Sequence, residues 1–205
     1  MQPINGKALE TQLAYEIRAG IDDTLNLLLK TEPKFILETR YTFPMPFTES
    51  SLHISMRHKL PNKSKSNLET KVIMEITTFH LAIISKQVGI VARILEHLTD
   101  DETYGETIKD AFSVKTKAVF SGDDVCIYSN VVGSMDGMNC FHLAVKYSPE
   151  CLYILLQFLR RKGLKALIPV LLEEKDENIR NTALHVAAAD PNTSALRLEL
   201  IGQYY

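Results

Sequence analysis

Apolar residues along this chain recur in pairs of short helical periods. Leu27, Leu28 and Leu29 follow Leu13, and Ile90, Val91, Ile94 and Leu95 follow Phe79. Leu152, Leu155 and Leu156 follow Phe141 in the same way, and Ala195, Leu196 and Leu198 follow Leu184. Spacings of three and four residues put each set on one face of a helix. Each pair predicts a helix, a tight turn and a second helix. Neither helix is long enough to be stable alone, so such units gain their stability by stacking on neighbours.

The first helix of each pair opens on a recurrent string. Thr77-Thr78-Phe79-His80-Leu81-Ala82-Ile83 and Asn139-Cys140-Phe141-His142-Leu143-Ala144-Val145 align position by position with Thr182-Ala183-Leu184-His185-Val186-Ala187-Ala188. Ser50-Ser51-Leu52-His53-Ile54-Ser55-Met56 is a weaker copy, and Thr11-Gln12-Leu13-Ala14-Tyr15-Glu16-Ile17 lacks the histidine. Four of the six histidines thus hold one repeat position, which a single active site does not explain. The leading Thr77, Asn139 and Thr182 carry side-chain oxygens suited to cap a helix. The Phe or Leu two positions on faces the stack, and the alanines let paired helices approach.

Asp136-Gly137-Met138-Asn139-Cys140-Phe141-His142-Leu143-Ala144-Val145 closely follows the pattern G-x-T-P-L-H-x-A-A. On these motifs the units resemble ankyrin repeats over about two-thirds of the chain. The resemblance implies an all-α, right-handed solenoid of about four to five helix pairs. Its units fall near 9–40, 77–98, 137–160 and 181–205, with a partial, irregular one at 50–76. It also implies that His53, His80, His142 and His185 are structural, bonding backbone within or between neighbouring units.

The motif residues Leu13, Leu52, Phe79, Phe141 and Leu184 lie 39, 27, 62 and 43 residues apart, against about 33 in the family. Insertions are therefore expected at 43–76, 99–134 and 160–180. The first carries Pro44, Pro46, Pro61 and the polar run Asn62 to Asn67, which predicts a loop open to proteolysis. In the second, Ala118-Val119-Phe120 and Val125-Cys126-Ile127-Tyr128 flank Ser121-Gly122-Asp123-Asp124, the pattern of a hairpin. The third holds Leu164 to Leu172, apolar enough to extend or cover the stack.

A formal charge of −2 gives no global reason to expect nucleic acid or an anionic membrane as partner. No apolar run is long enough for membrane insertion, and the opening MQPINGKALE has no secretory pattern. Three cysteines without C-x-x-C pairing suit a reducing compartment, so an intracellular protein of the cytoplasm or nucleus is expected. Cys140 and His142 supply too few ligands for zinc, and Cys126 and Cys151 have no visible orienting partner for nucleophilic chemistry. Glycine-rich phosphate loops, H-E-x-x-H and G-x-S-x-G are missing from the sequence. Neither a catalytic residue nor a metal or cofactor is expected. The basic run Arg57 to Lys65 reads as a solvated loop or as a nuclear-import or phosphorylation segment. Asp100-Asp101-Glu102 reads as a solvated loop or an interaction element, and Arg160-Arg161-Lys162-Gly163 as a helix end.

The resemblance implies a non-catalytic module, adaptor or scaffold, that binds another protein through hairpin tips and the inner helix face. On this chain that surface comprises Met135, Asp136, Met138, Lys146 and Tyr147, with Tyr147 as an exposed aromatic anchor. Asn178, Ile179, Asn181 and Asp190 lie to one side of it, and Ile84 and Ser85 to the other. Two further readings remain open: an inhibitor-like regulator of a Rel-type transcription factor, and the cytosolic ankyrin part of a larger protein. Between Ser194 and Ile201 apolar residues outnumber the positions of one inward stripe. Self-association through Leu196 to Tyr205 is therefore expected, whether the chain is a fragment or short form of a longer array or this end is a docking surface.

Overall fold

The computed structural model describes residues 6–31, 40–44, 72–98, 104–120, 136–177, 180–189, 199 and 201–202. The described chain is mainly helical. Its first pair is α1 (Gly6–Ala19) and α2 (Asp23–Thr31). Leu13 and Ile17 of α1 and Leu25, Leu28 and Leu29 of α2 are buried between them and the stack. Glu16 fastens the turn, one carboxylate oxygen accepting from the Thr24 amide at 3.0 Å and the other from its hydroxyl at 2.8 Å. The next pair is α3 (Thr78–Ile84) and α4 (Val88–His97), joined through Lys86 at a φ of 58°.

A helix outside the paired pattern follows, α5 (Tyr104–Ser113). After it come α6 (Cys140–Tyr147) and α7 (Pro149–Arg161), the clearest of the predicted pairs. Ser148 separates them: its hydroxyl accepts from the Cys151 amide at 3.2 Å, and Pro149 occupies a first-turn position whose missing N–H costs nothing. Two short helices close the described chain, α8 (Leu167–Glu173) and α9 (Ala183–Ala189). The opening helices of the pairs pack in one row, α1 on α3, α3 on α6 and α6 on α9, and behind that row α4 packs on α7.

The helical expectation holds for the bulk of the chain, with one addition. Three strands, β1 (Arg40–Pro44), β2 (Val72–Thr77) and β3 (Lys117–Phe120), form an antiparallel sheet in the order β1-β2-β3. Tyr41 lies opposite Ile76, and Met74 opposite Ala118. The strand expected at Ala118–Phe120 is present and pairs with β2; its expected hairpin arm, 125–128, lies outside the described residues. β2 runs straight into α3, so Thr77 ends a strand and caps a helix. The Tyr41 hydroxyl meets that of Thr78 at 3.0 Å inside the core, which ties the sheet to the stack.

The described parts of the insertions contribute to the core. Phe112 of α5 is fully buried, stacked on Phe79 at 5.6 Å and edge-on to Phe141 at 5.9 Å. The two units that carry Phe rather than Leu at the inward motif position are the two that meet this ring. From the third insertion, Ile168, Leu171 and Leu172 are fully buried, so α8 covers the stack as its composition suggested. Ser50–Met56 with His53, the basic run 57–65, the run 61–67 and the acidic run 100–102 lie outside the described residues. So does most of 194–205, although Ile201 is only 1% exposed.

Candidate interaction surface

The motif residues build the helix starts along the row. At α3, the Thr77 hydroxyl accepts from the His80 amide at 3.3 Å, and the His80 Nδ1 accepts from the Thr77 amide at 3.4 Å. This reciprocal box satisfies two backbone donors that the first turn leaves open. His80 is fully buried beneath it. At α9 the same exchange joins Thr182 and His185, with the threonine hydroxyl 2.7 Å from Nδ1. His185 is exposed, and among the described residues its bonds all return to Thr182.

At α6 the cap is Asn139, and its chemistry is different. Its Oδ1 accepts from the amides of Phe141 at 3.0 Å and His142 at 3.1 Å. Its Nδ2 donates to the Leu171 carbonyl at 3.1 Å and to Glu174 at 2.8 Å, so the amide orientation is set. Glu174 in turn accepts from the Ser113 hydroxyl at 2.7 Å. One asparagine thereby links α6, the end of α8 and the end of α5. A threonine has a single O–H donor, one fewer than the two that this role uses.

His142 then reaches across units. Its Nε2 lies 3.0 Å from the carbonyl of Asn181, just before α9, and its Nδ1 lies 2.6 Å from the Asn139 Oδ1. Both ring nitrogens face acceptors, and a neutral imidazole has one N–H to give. Burial holds the His142 pKa below its ordinary value, against the upward pull of the Asn181 carbonyl and the Asp176 and Glu174 carboxylates; Lys115 adds to the depression. The Asn181 carbonyl also accepts from the Asp176 amide at 2.8 Å, which closes the loop between α8 and α9.

Around this junction the backbone is equally committed. The Thr116 amide donates to the Met138 carbonyl at 2.9 Å, the Thr116 hydroxyl accepts from the Met138 amide at 3.0 Å, and the Gly137 amide donates to the Thr116 carbonyl at 2.9 Å. The Lys115 ammonium donates to the Lys175 carbonyl at 3.0 Å. Met138 is 3% exposed. Its expected place on a partner-binding surface is corrected: it packs inward beneath the strand lead-in. Asp136 beside it is half-buried. Sequence reading missed Ser113, Thr116, Glu174 and Asp176. The one available signal was Asn139 in a position that two sister units fill with threonine.

The remaining surface residues separate into two patches. Ile84 and Ser85 end α3 and Lys146 and Tyr147 end α6, two helices that pack on each other. Asp136 and Asn181 precede the N-terminal ends of α6 and α9, the opposite helix ends, about 12 Å away along an eight-residue helix. Met135, Asn178, Ile179 and Asp190 lie outside the described residues. Tyr147 is not the freely exposed anchor that was expected: it is half-buried and packed on the core, because it sits on the inward side of the last turn of α6. Burial pushes its pKa up to about 12 and draws that of Lys146 down. The Lys146 ammonium lies 5.5 Å from the Tyr147 ring centroid, a cation–π contact within the effective range of about 6 Å.

Among the described residues the two cysteines are held away from covalent chemistry, and Cys126 lies outside them. Cys140 is fully buried; desolvation, with Glu174 adding to it, raises its pKa well above the ordinary thiol range. Burial raises that of Cys151 too, with Glu150 adding and the Ser148 hydroxyl opposing. A thiol in that state is a small core hydrophobe rather than a nucleophile. Among the described residues no three His, Cys, Asp or Glu side chains converge as metal ligands, and no helix is long and apolar enough to cross a membrane. No family model matches this chain, and neither the curated proteins nor the solved structures yield a match.

Proposed function

We propose that this chain is a non-catalytic protein-interaction module, an adaptor or scaffold built from ankyrin-like helix pairs. The observation that carries the reading is the row of helix starts in which motif histidines cap and join units. His142 bonds its own cap and the backbone of the next unit, so the residue type most suited to proton transfer is engaged in holding helices together. The partner-binding patch is the ridge where α3 and α6 end, with Ile84, Ser85, Lys146 and Tyr147. Its half-buried Tyr147 and the cation beside it offer a rigid aromatic ledge, which loses little conformational freedom on binding.

The test is co-purification from cells with a photo-crosslinking residue placed at Ser85 or at Asp136, followed by identification of the crosslinked protein. A specific partner crosslinked from Ser85, and lost on Lys146→Glu with an unchanged melting curve, supports the reading. A partner that crosslinks only from other surfaces removes the patch. Substrate turnover by the purified chain removes the function.

A further inference from the structure

A second surface lies behind the row of opening helices. Between α4 and α7 runs a groove of about 450 Å3 whose apolar lining comes from Leu95, Ile154 and Phe158, a volume in the range of ligand-binding clefts. Glu96, Arg161 and Lys162 complete its polar rim. Tyr153 stands beside them at 44% exposure, a large aromatic surface left to solvent. Two cations and one carboxylate give this rim the sign opposite to that of the whole chain, whose formal charge is −2. Among the described residues neither Arg161 nor Lys162 makes an ion pair.

We infer that this groove docks an amphipathic, carboxylate-bearing helix of a partner protein. Two helices packed side by side present a groove that a third can enter by the same ridge-and-groove packing. The visitor's apolar stripe lies on the partly exposed Ala92, Ile154 and Phe158, with Leu95 forming the floor beneath, and its acidic residues face Arg161 and Lys162. The charge of the rim selects this occupant over a basic one. The groove lining shares no residue with the α3–α6 ridge.

The experiment is fluorescence anisotropy of the whole chain with two labelled synthetic helical peptides. Both carry one leucine stripe at helical spacing; one has glutamates at its polar positions, the other lysines. The acidic peptide is expected to bind at least about tenfold more tightly, and the margin shrinks as salt rises. Arg161→Glu with Lys162→Glu, both on exposed positions, is expected to erase or reverse the preference with an unchanged melting curve. Lys117→Glu, an exposed charge reversal on β3 away from the groove lining, leaves it unchanged. Absence of binding by the acidic peptide overturns the inference, as does equal binding of both peptides or a preference that survives charge reversal. A concentration-dependent dimer that the double charge reversal dissolves overturns it too, by showing that a second copy is the occupant.

Discussion

Glu174 joins Asn139 to Ser113: one of its oxygens lies 2.8 Å from the Asn139 Nδ2 and the other 2.7 Å from the Ser113 hydroxyl. Two insertions thus meet at the cap of the best-formed unit. Glu174→Ala removes a charged acceptor from both donors and is expected to cost roughly 1–3 kcal/mol in urea denaturation. Glu174→Gln, which keeps an acceptor oxygen, is expected to lose less. An alanine variant as stable as the parent would show that the junction has no part in holding the insertions.

The motif histidines differ in weight, although their strings look alike. His142 is buried and bonded across units, whereas His185 is exposed and bonded only within its own cap. His142→Ala is expected to cost roughly 1–3 kcal/mol, the loss of a buried bond with a stranded partner. His185→Ala is expected to cost about 0.5–1 kcal/mol, the scale of an exposed cap. Paired denaturation curves check the order, and equal losses refute it. Stoichiometric zinc in the parent, lost in either variant, would replace the structural role with a metal-binding one.

His142 also sets a pH dependence. Burial depresses its pKa in the folded chain; unfolding restores the ordinary value of about 6.5. Below that value the unfolded state binds more protons than the folded one, so stability declines as pH falls. Above it both states hold a neutral ring and the contribution is fully present. Between about pH 7.5 and about pH 5.5 the urea midpoint of the parent is expected to drop further than that of His142→Gln. An equal or smaller drop in the parent would mean that the two acceptors facing the ring outweigh its burial.

Much of the stack was legible because its signals are local. Paired helical periods located α3, α4, α6 and α7, and the cap residues Thr77, Asn139 and Thr182 marked where helices begin. What escaped reading was non-local. Strand β2 holds Val72, Ile73, Met74 and Ile76 beside a proline-rich, polar insertion, and its pairing residues lie 29 to 37 positions upstream and 42 to 48 downstream. Helix α5 has no motif string, yet its Phe112 ring packs against both Phe79 and Phe141. The candidate surface fared less well. The resemblance grouped Lys146 and Tyr147 with Met135, Asp136 and Met138, with Ile84 and Ser85 to one side, and it could not see that the Thr116 segment covers Met138.

Gly137 and Gly163 give the last test, because both take left-handed backbone and only one is confined. Gly137 has a φ of 70° and Gly163 a φ of 73°. A Cβ on Gly137 would overlap the backbone nitrogen of Glu177, whereas one on Gly163 meets nothing within 4 Å. Alanine at either site strains the backbone by about 1 kcal/mol. At Gly137 it must also push the segment after α8 away from α6, and that segment is pinned by the Asp176 amide on the Asn181 carbonyl at 2.8 Å. Overpacking of that kind adds roughly 1–3 kcal/mol. Gly137→Ala is therefore expected to lose more stability than Gly163→Ala by that margin, and to speed amide exchange at Asp176. Equal losses, with exchange at Asp176 unchanged, would mean that Glu177 moves aside freely and that the junction around His142 is held by its side chains alone.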